Sequence, residues 1–383
     1  MPSHHHHHHF DQSAAVSIFA GVSAIAAVLI CFIILTRSAA LDQSEPAATI
    51  VHLSAPMMAL AIAGFVGSLA GVHWFKAETG ARHLGAGFAV YIAAAGVILL
   101  GGSTPVATIA AALAGGALGW AIVTLSLCLR PSIHLRKLGT WCGLGAGIAY
   151  AFMNQPWVFN ASPHSQTIIS IVAALIGLGV SLRLTGEPTK PSSSPDYNPF
   201  ISSLWVVLFF VIVSACAAAA YTIQGNPLLA TDTWDGAIEL QGNAFVYLCT
   251  AVIAGLALDR RQLALTLGTG LLLLAGACLF LGGSVRFFPA TRVFHTASAA
   301  IFTTALFYYA GRGVRPWLTG TLFAIVYWFG TIAGLGLTGP LQTTPWAFTV
   351  IMGIAASAIF LTRNLWLKRL HIEAGFSRPP LNS

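Results

Sequence analysis

Read along its length, the chain alternates long apolar runs with short polar breaks. Twelve of the runs approach the roughly 20 residues a helix needs to cross a hydrocarbon core of about 30 Å. In the first half they are Ala14–Thr36, Thr49–Trp74, His83–Gly101, Pro105–Leu129, Leu138–Phe159 and Ser165–Leu184; in the second, Ile201–Ile223, Glu239–Leu258, Gln262–Gly282, Arg292–Gly311, Pro316–Leu337 and Thr344–Leu367. One break is unlike the rest. From Arg183 to Phe200 the chain reads RLTGEPTKPSSSPDYNPF, a stretch too poor in apolar surface to offset the entropy of ordering. The pattern predicts an all-α membrane protein: residues 14–184 form one six-helix bundle, 201–367 a second, 185–200 a cytoplasmic linker and 368–383 a cytoplasmic tail. Residues 1–13, with six histidines from His4 to His9, are expected to be a purification tag and tail.

Composition agrees with a bilayer as solvent. Charged residues are 8% of the chain and apolar ones 56%, against about 25% charged in ordinary soluble domains. The formal net charge of +7 therefore points to sidedness in a membrane rather than to nucleic acid, for which no basic face interleaved with aromatics is present. Counting Lys and Arg loop by loop tests the spans independently of hydropathy. With the N-terminus inside, fifteen fall in inner loops and tails and only Arg37, Arg286 and Arg292 fall outside. The loss of any early span would scramble that division, so both termini are expected in the cytoplasm and the protein in a bacterial inner membrane.

The halves also rhyme. The second helix is followed by a compact charged loop, GVHWFKAETGARH from Gly71 to His83, and the eighth by GLALDRRQ from Gly255 to Gln262. This duplication with six helices per repeat, and these two loops, resemble the major facilitator superfamily, whose signature after helices two and eight is close to Gly-x-x-x-Asp-Arg-x-Gly-Arg-Arg. Gly255, Asp259 and Arg260 match the spacing; Gln262 stands at the second glycine. In the first copy Gly71 is present, Phe75 stands at the acidic position, and Glu78, Gly80 and Arg82 form a displaced version. The resemblance implies two pseudo-symmetric bundles that rock to alternate access to a path between them. It implies that Asp259 faces the start of the fifth helix near Arg136, Lys137 and Leu138, and that Glu78 approaches the eleventh near Arg315 and Pro316. Gly71, Glu78, Arg82, Gly255, Asp259 and Arg260 would then latch one conformer, a carboxylate at a helix N-terminus contributing roughly 0.3–1 kcal/mol. The fifth helix has Gly143, Gly145 and Gly147 but no Gly-Pro pair, so the proton-antiport signature of the superfamily's drug exporters is missing.

An ionisable group at mid-membrane marks function because it is costly there, and no span centre holds one. Polar residues collect instead at the outer ends. Arg292 and His295 could attract an anion from that side, or Arg292 could reach to lipid headgroups. Coupling to a proton or cation would fall to His52, Glu239 or His295. The remaining candidates for a substrate path are neutral: Trp120, Thr124, Asn154, Tyr221, Gln224, Tyr308 and Tyr327. Aromatic walls with amide and hydroxyl groups suit a small organic solute, anionic or amphipathic. The six cysteines are scattered singly, and no nucleophile–base pair, carboxylate pair or metal-ligand spacing occurs. The sequence therefore predicts a monomeric secondary transporter or facilitator, not an enzyme, with the lipid bilayer and a small-molecule substrate as its partners and neither cofactor nor metal. A membrane sensor on a transporter scaffold is the alternative.

Overall fold

The structure is a computed structural model and describes residues 6–41, 55–101, 103–132, 137–184, 199–283, 287–312 and 316–373. Twelve long helices account for almost all of them. We number these α1 (His6–Leu41), α2 (Ala55–His73), α3 (Gly80–Leu99), α4 (Thr104–Ser132), α5 (Leu138–Met153), α6 (Pro163–Ser181), α7 (Pro199–Gly225), α8 (Ala237–Asp259), α9 (Leu263–Leu281), α10 (Phe288–Arg312), α11 (Pro316–Gly336) and α12 (Pro345–Glu373). Nine are long and apolar enough to cross a membrane, and α5 and α12 contain shorter apolar stretches. The last, α10, is 25 residues long; its hydropathy is diluted by Thr291, Arg292, His295 and a run of small hydroxyl residues.

The packing repeats with a period of six helices. Helix α2 packs on α4, α3 on α4 and α6, and α1 on α5; in the same way α8 packs on α10, α9 on α10 and α12, and α7 on α11. Each half is thus a six-helix bundle with the same internal neighbours. The halves meet chiefly along two seams, α5 against α8 and α2 against α11, with further contact of α10 with α4 and α5. Exchanging each member of the first seam for its counterpart six helices away, α5 for α11 and α8 for α2, gives the second, as a pseudo-twofold axis between the bundles requires.

Local chemistry adjusts several expected spans. The fifth was expected to run to Phe159, but α5 stops at Met153 and a separate turn covers Pro156–Phe159. Pro156 lacks an N–H and holds Gln155 extended, at φ −67° and ψ 131°. The eleventh is not uniformly α-helical. Residues Phe323–Phe329 take the wider π-helical turn, a feature that often accompanies function. The chain turns from α8 to α9 through Arg261 at φ 62°. There the Gln262 N–H donates to the Ala257 carbonyl and the Arg261 N–H to that of Leu258, closing the helix as a Schellman turn with Arg where glycine is usual. The predicted linker falls almost wholly outside the described residues, as do His52, Arg136, Arg286 and Arg315.

Candidate functional site

The α5–α8 seam is built from backbone contact. Gly139, Gly143 and Gly147 recur every four residues, so they line one face of α5. A Cβ at Gly139 or Gly143 would strike the carbonyl of Gly255 or Ala251 on α8, and one at Gly147 would strike Leu248. Only glycine lets the two helices approach this closely. The seam ends at the side of the protein where α5 begins, the end that also carries Lys137, Arg260 and Arg261 and is called here the basic end. At that point Asp259, the last residue of α8, reaches across to the other bundle. Its Oδ1 accepts from the Gly139 N–H at 2.7 Å, and its Oδ2 accepts from the Thr140 N–H at 2.8 Å and the Thr140 hydroxyl at 2.6 Å. The first N–H groups of any helix have no partner within it; here a carboxylate from the opposite half supplies one.

Two further residues hold Asp259 in place. The Tyr308 hydroxyl donates to the Leu258 carbonyl at 2.9 Å and accepts from Arg312 Nη1 at 2.8 Å. Gly311 of α10 lies against Leu138 of α5 and Leu129 of α4, so the basic ends of four helices close together. Tyr308, a substrate-path candidate in the sequence, is 1% exposed and sits in this closure.

The counterpart seam, α2 against α11, is closed by different means. Gly64 receives the Trp328 ring, and Trp328 Nε1 donates to the Ser68 hydroxyl at 3.2 Å, which itself donates to the Gly64 carbonyl at 2.9 Å. Phe65 packs on Phe329 with ring centroids 4.9 Å apart. The residues expected to form a latch in the first copy make no comparable clasp among the described residues. Gly71 packs on the backbone of Trp120 in α4, Phe75 lies against Gly80 at the start of α3, and Glu78 and Arg82 are exposed.

Between the seams the two halves share an aromatic and hydroxyl-lined wall. Tyr150 of α5 stacks on Tyr247 of α8, with centroids 4.0 Å apart and planes 10° from parallel. Asn154, Thr296 and Trp234 surround the Tyr150 hydroxyl, and Thr303 neighbours that of Tyr247. Asn154 is 4% exposed; its Nδ2 donates to the Tyr150 carbonyl at 2.9 Å, and its Oδ1 has no partner. Tyr327 and Trp328, both in the π-helical turn of α11, close on Phe32 of α1 at 4.2 and 5.4 Å. Tyr150, Phe32 and Ser68 were absent from the sequence candidates. The four-residue glycine period that leads up α5 to Tyr150 is the signal that could have found the first of them.

The other candidates are dispersed. His295, 6% exposed, places Nε2 3.2 Å from the Cys216 carbonyl, inside the second bundle. Arg292 Nη1 donates to the Asp232 carbonyl at 3.2 Å. That bond and one from Asn243 to the Thr233 carbonyl at 2.7 Å pin the turn before α8. Glu239 folds back onto Gly236 at the start of α8. Trp120 donates to the His83 carbonyl at 2.8 Å and stacks on Trp74, on the face of α4 turned toward α2 and α3. Thr124 bonds the Trp120 carbonyl within its own helix. Tyr221 is half-buried and Gln224 exposed near the end of α7. No group of three or more His, Cys, Asp or Glu able to hold a metal ion occurs among the described residues.

No protein-family model and no curated protein matches the sequence. Solved structures do match the fold. FucP, a major facilitator superfamily transporter seen in its outward conformation, aligns with 92% of this chain and 99% of its own at a TM-score of 0.61 and 12% identity. The human organic anion transporter MFSD10 aligns over 94% and 99% at 0.56 and 14% identity. A bacterial homologue of the iron transporter ferroportin, in an outward-facing state with soaked iron, aligns over 93% and 99% at 0.55 and 15% identity. The chain thus has the twelve-helix, two-bundle fold of major facilitator superfamily transporters, across nearly the whole length of each.

Proposed function

We propose that the protein is a secondary transporter that carries a small organic solute between its two bundles by alternating access. The observation that carries this reading is the Asp259 clasp. A carboxylate of one half takes up the free N–H groups of a helix in the other, at one end of a seam whose glycines leave the helices nothing to interlock. Such a contact opens at modest cost, because water can solvate both the carboxylate and the N–H groups once they part. We place the basic end in the cytoplasm, as the distribution of Lys and Arg favours; on that reading both termini are cytoplasmic in a bacterial inner membrane and the Asp259 clasp closes the inner side.

The wall between the halves favours an amphipathic or aromatic solute of low charge. Its polar groups are the hydroxyls of Tyr150, Tyr247, Thr296 and Thr303 and the unpaired Asn154 oxygen, and the aromatic faces of Phe32 and Tyr327 lie on the same divide. Arg292, the residue that would select an anion, is engaged by the Asp232 carbonyl. Reconstitution into proteoliposomes tests the proposal. Labelled neutral aromatic solutes are expected to show saturable flux that Asn154→Leu depresses. Saturable binding with no flux of any bound solute would replace the transporter reading with that of a membrane sensor.

A further inference from the structure

Along the α5–α8 seam the contact changes character once. From the basic end it runs with glycine against the facing helix, Gly139 on Gly255, Gly143 on Ala251 and Gly147 on Leu248. Three residues beyond Gly147, Tyr150 of one bundle lies flat on Tyr247 of the other, with ring centroids 4.0 Å apart and planes 10° from parallel. The other ring contacts between the bundles, among the described residues, are inclined. Phe32 meets Tyr327 at 41° and Trp328 at 71°, and Phe65 meets Phe329 at 53°.

That difference decides what each contact can admit. Inclined rings that move apart leave a wedge, which no flat molecule fills on both sides. Parallel rings leave a slot of even width. Aromatic layers rest about 3.5–4.0 Å apart, so a planar solute between the tyrosines needs their centroids separated by about 7–8 Å, one layer more than the closed stack. The glycines of α5 carry no side chains that would interlock with α8 and resist such a parting. The rim of the slot is polar and uncharged: Asn154, Thr296 and Trp234 stand around the Tyr150 hydroxyl, and Thr303 beside that of Tyr247.

We propose that Tyr150 and Tyr247 are the clamp that selects the solute, a neutral planar aromatic molecule of one or two fused rings that bears a hydroxyl or N–H group. The clamp rests on the proposal above that the two bundles part from each other. Stacking on both faces rewards a flat ring twice, while the amide, indole and hydroxyl groups of the rim orient its polar substituent. A saturated ring of the same skeleton is puckered and has no π face to offer. A charged solute would give up its hydration among these groups with no counter-charge to meet it.

The test is binding of tritiated 1-naphthol to the full chain in nanodiscs, read by scintillation proximity with empty nanodiscs subtracted. The competitors are unlabelled 1-naphthol and decahydro-1-naphthol, which has the same carbon skeleton and hydroxyl on puckered rings. Saturable binding is expected, displaced by 1-naphthol at concentrations at least tenfold lower than by the saturated alcohol. Tyr247→Leu keeps an apolar side chain without the flat face, and is expected to weaken binding at least tenfold and to erase the preference. Tyr247→Phe restores the ring and is expected to recover both to within about threefold. Absence of saturable binding, equal displacement by the two alcohols, or a planar preference that persists in Tyr247→Leu would each overturn the clamp. If Tyr247→Leu does not fold, the two competitors on the unaltered chain decide alone. Planarity-dependent binding without flux of any labelled aromatic solute would leave the clamp in a sensor, and flux without a planar preference would leave a transporter without the clamp.

Discussion

Where α5 crosses α8 a carboxylate spans the divide between the bundles; where α2 crosses α11 an indole does. The two crossings are counterparts under the pseudo-twofold axis and both rely on glycine, yet they are closed by opposite chemistry. At the first, Asp259 meets the N–H groups of Gly139 and Thr140 and a hydroxyl. At the second, the residue in the corresponding loop is Phe75, turned into its own bundle against Gly80. Closure there falls to Trp328 seated on Gly64 and bonded to Ser68. A polar clasp can exchange its partners for water, whereas withdrawing an indole exposes apolar surface and empties a notch. In the proposed cycle the α5–α8 seam is therefore the latch and the α2–α11 seam the pivot.

Four experiments break or sharpen that division. Asp259→Ala leaves two N–H groups and a hydroxyl without their charged acceptor, and should shift the balance away from the closed basic end by about 3 kcal/mol, roughly a hundredfold. A cysteine at Leu138, which is 0% exposed, should then react with a membrane-impermeant maleimide applied to that side; unchanged reactivity would remove the latch. Gly64→Val should cost about 2 kcal/mol of stability by overpacking the Trp328 notch, lowering Tm and slowing flux without raising reactivity at position 138. If it does raise that reactivity, the seams are not distinct in role. Ser68→Ala removes one neutral acceptor from Trp328 and should lower stability by about 1 kcal/mol, with little effect on access at either end. The smallest effect is expected from Arg261→Gly, which relieves a left-handed residue beside the latch. It should raise stability by about 0.5 kcal/mol, a change in Tm of about 1 °C.

The Asp259 contact shows how far the sequence could be read. Asp259 follows Gly255 at a spacing that identifies the loop and aims at the start of the fifth helix, and the structure has it there. Glu78 and Arg82 carried the same reading from the first copy of the motif and lie exposed, and Arg315, which Glu78 was expected to approach, falls outside the described residues. The difference is local. In the second copy the acid is the last residue of a helix, and its direction is fixed by the helix itself; in the first, the acid lies beyond the helix in a turn whose course depends on Phe75 finding its place. The substrate path was harder to read. Trp120 and Tyr327 both look like wall residues in sequence, yet Trp120 serves its own bundle and Tyr327 faces the other.

The sequence by itself determined the number of helices, their order, their repetition in two sets of six and the concentration of basic residues at one end, because each follows from the length of apolar runs and the cost of charge in a bilayer. The tertiary structure decided which face of each helix looks inward. Lipid is as apolar as a protein core, so a helix that is apolar all round carries no mark of its buried side in its polarity. That mark came from fit between neighbours: glycine against carbonyl along α5, the indole of Trp328 on Gly64, and a π-helical turn that sets Tyr327 and Trp328 against the same phenylalanine.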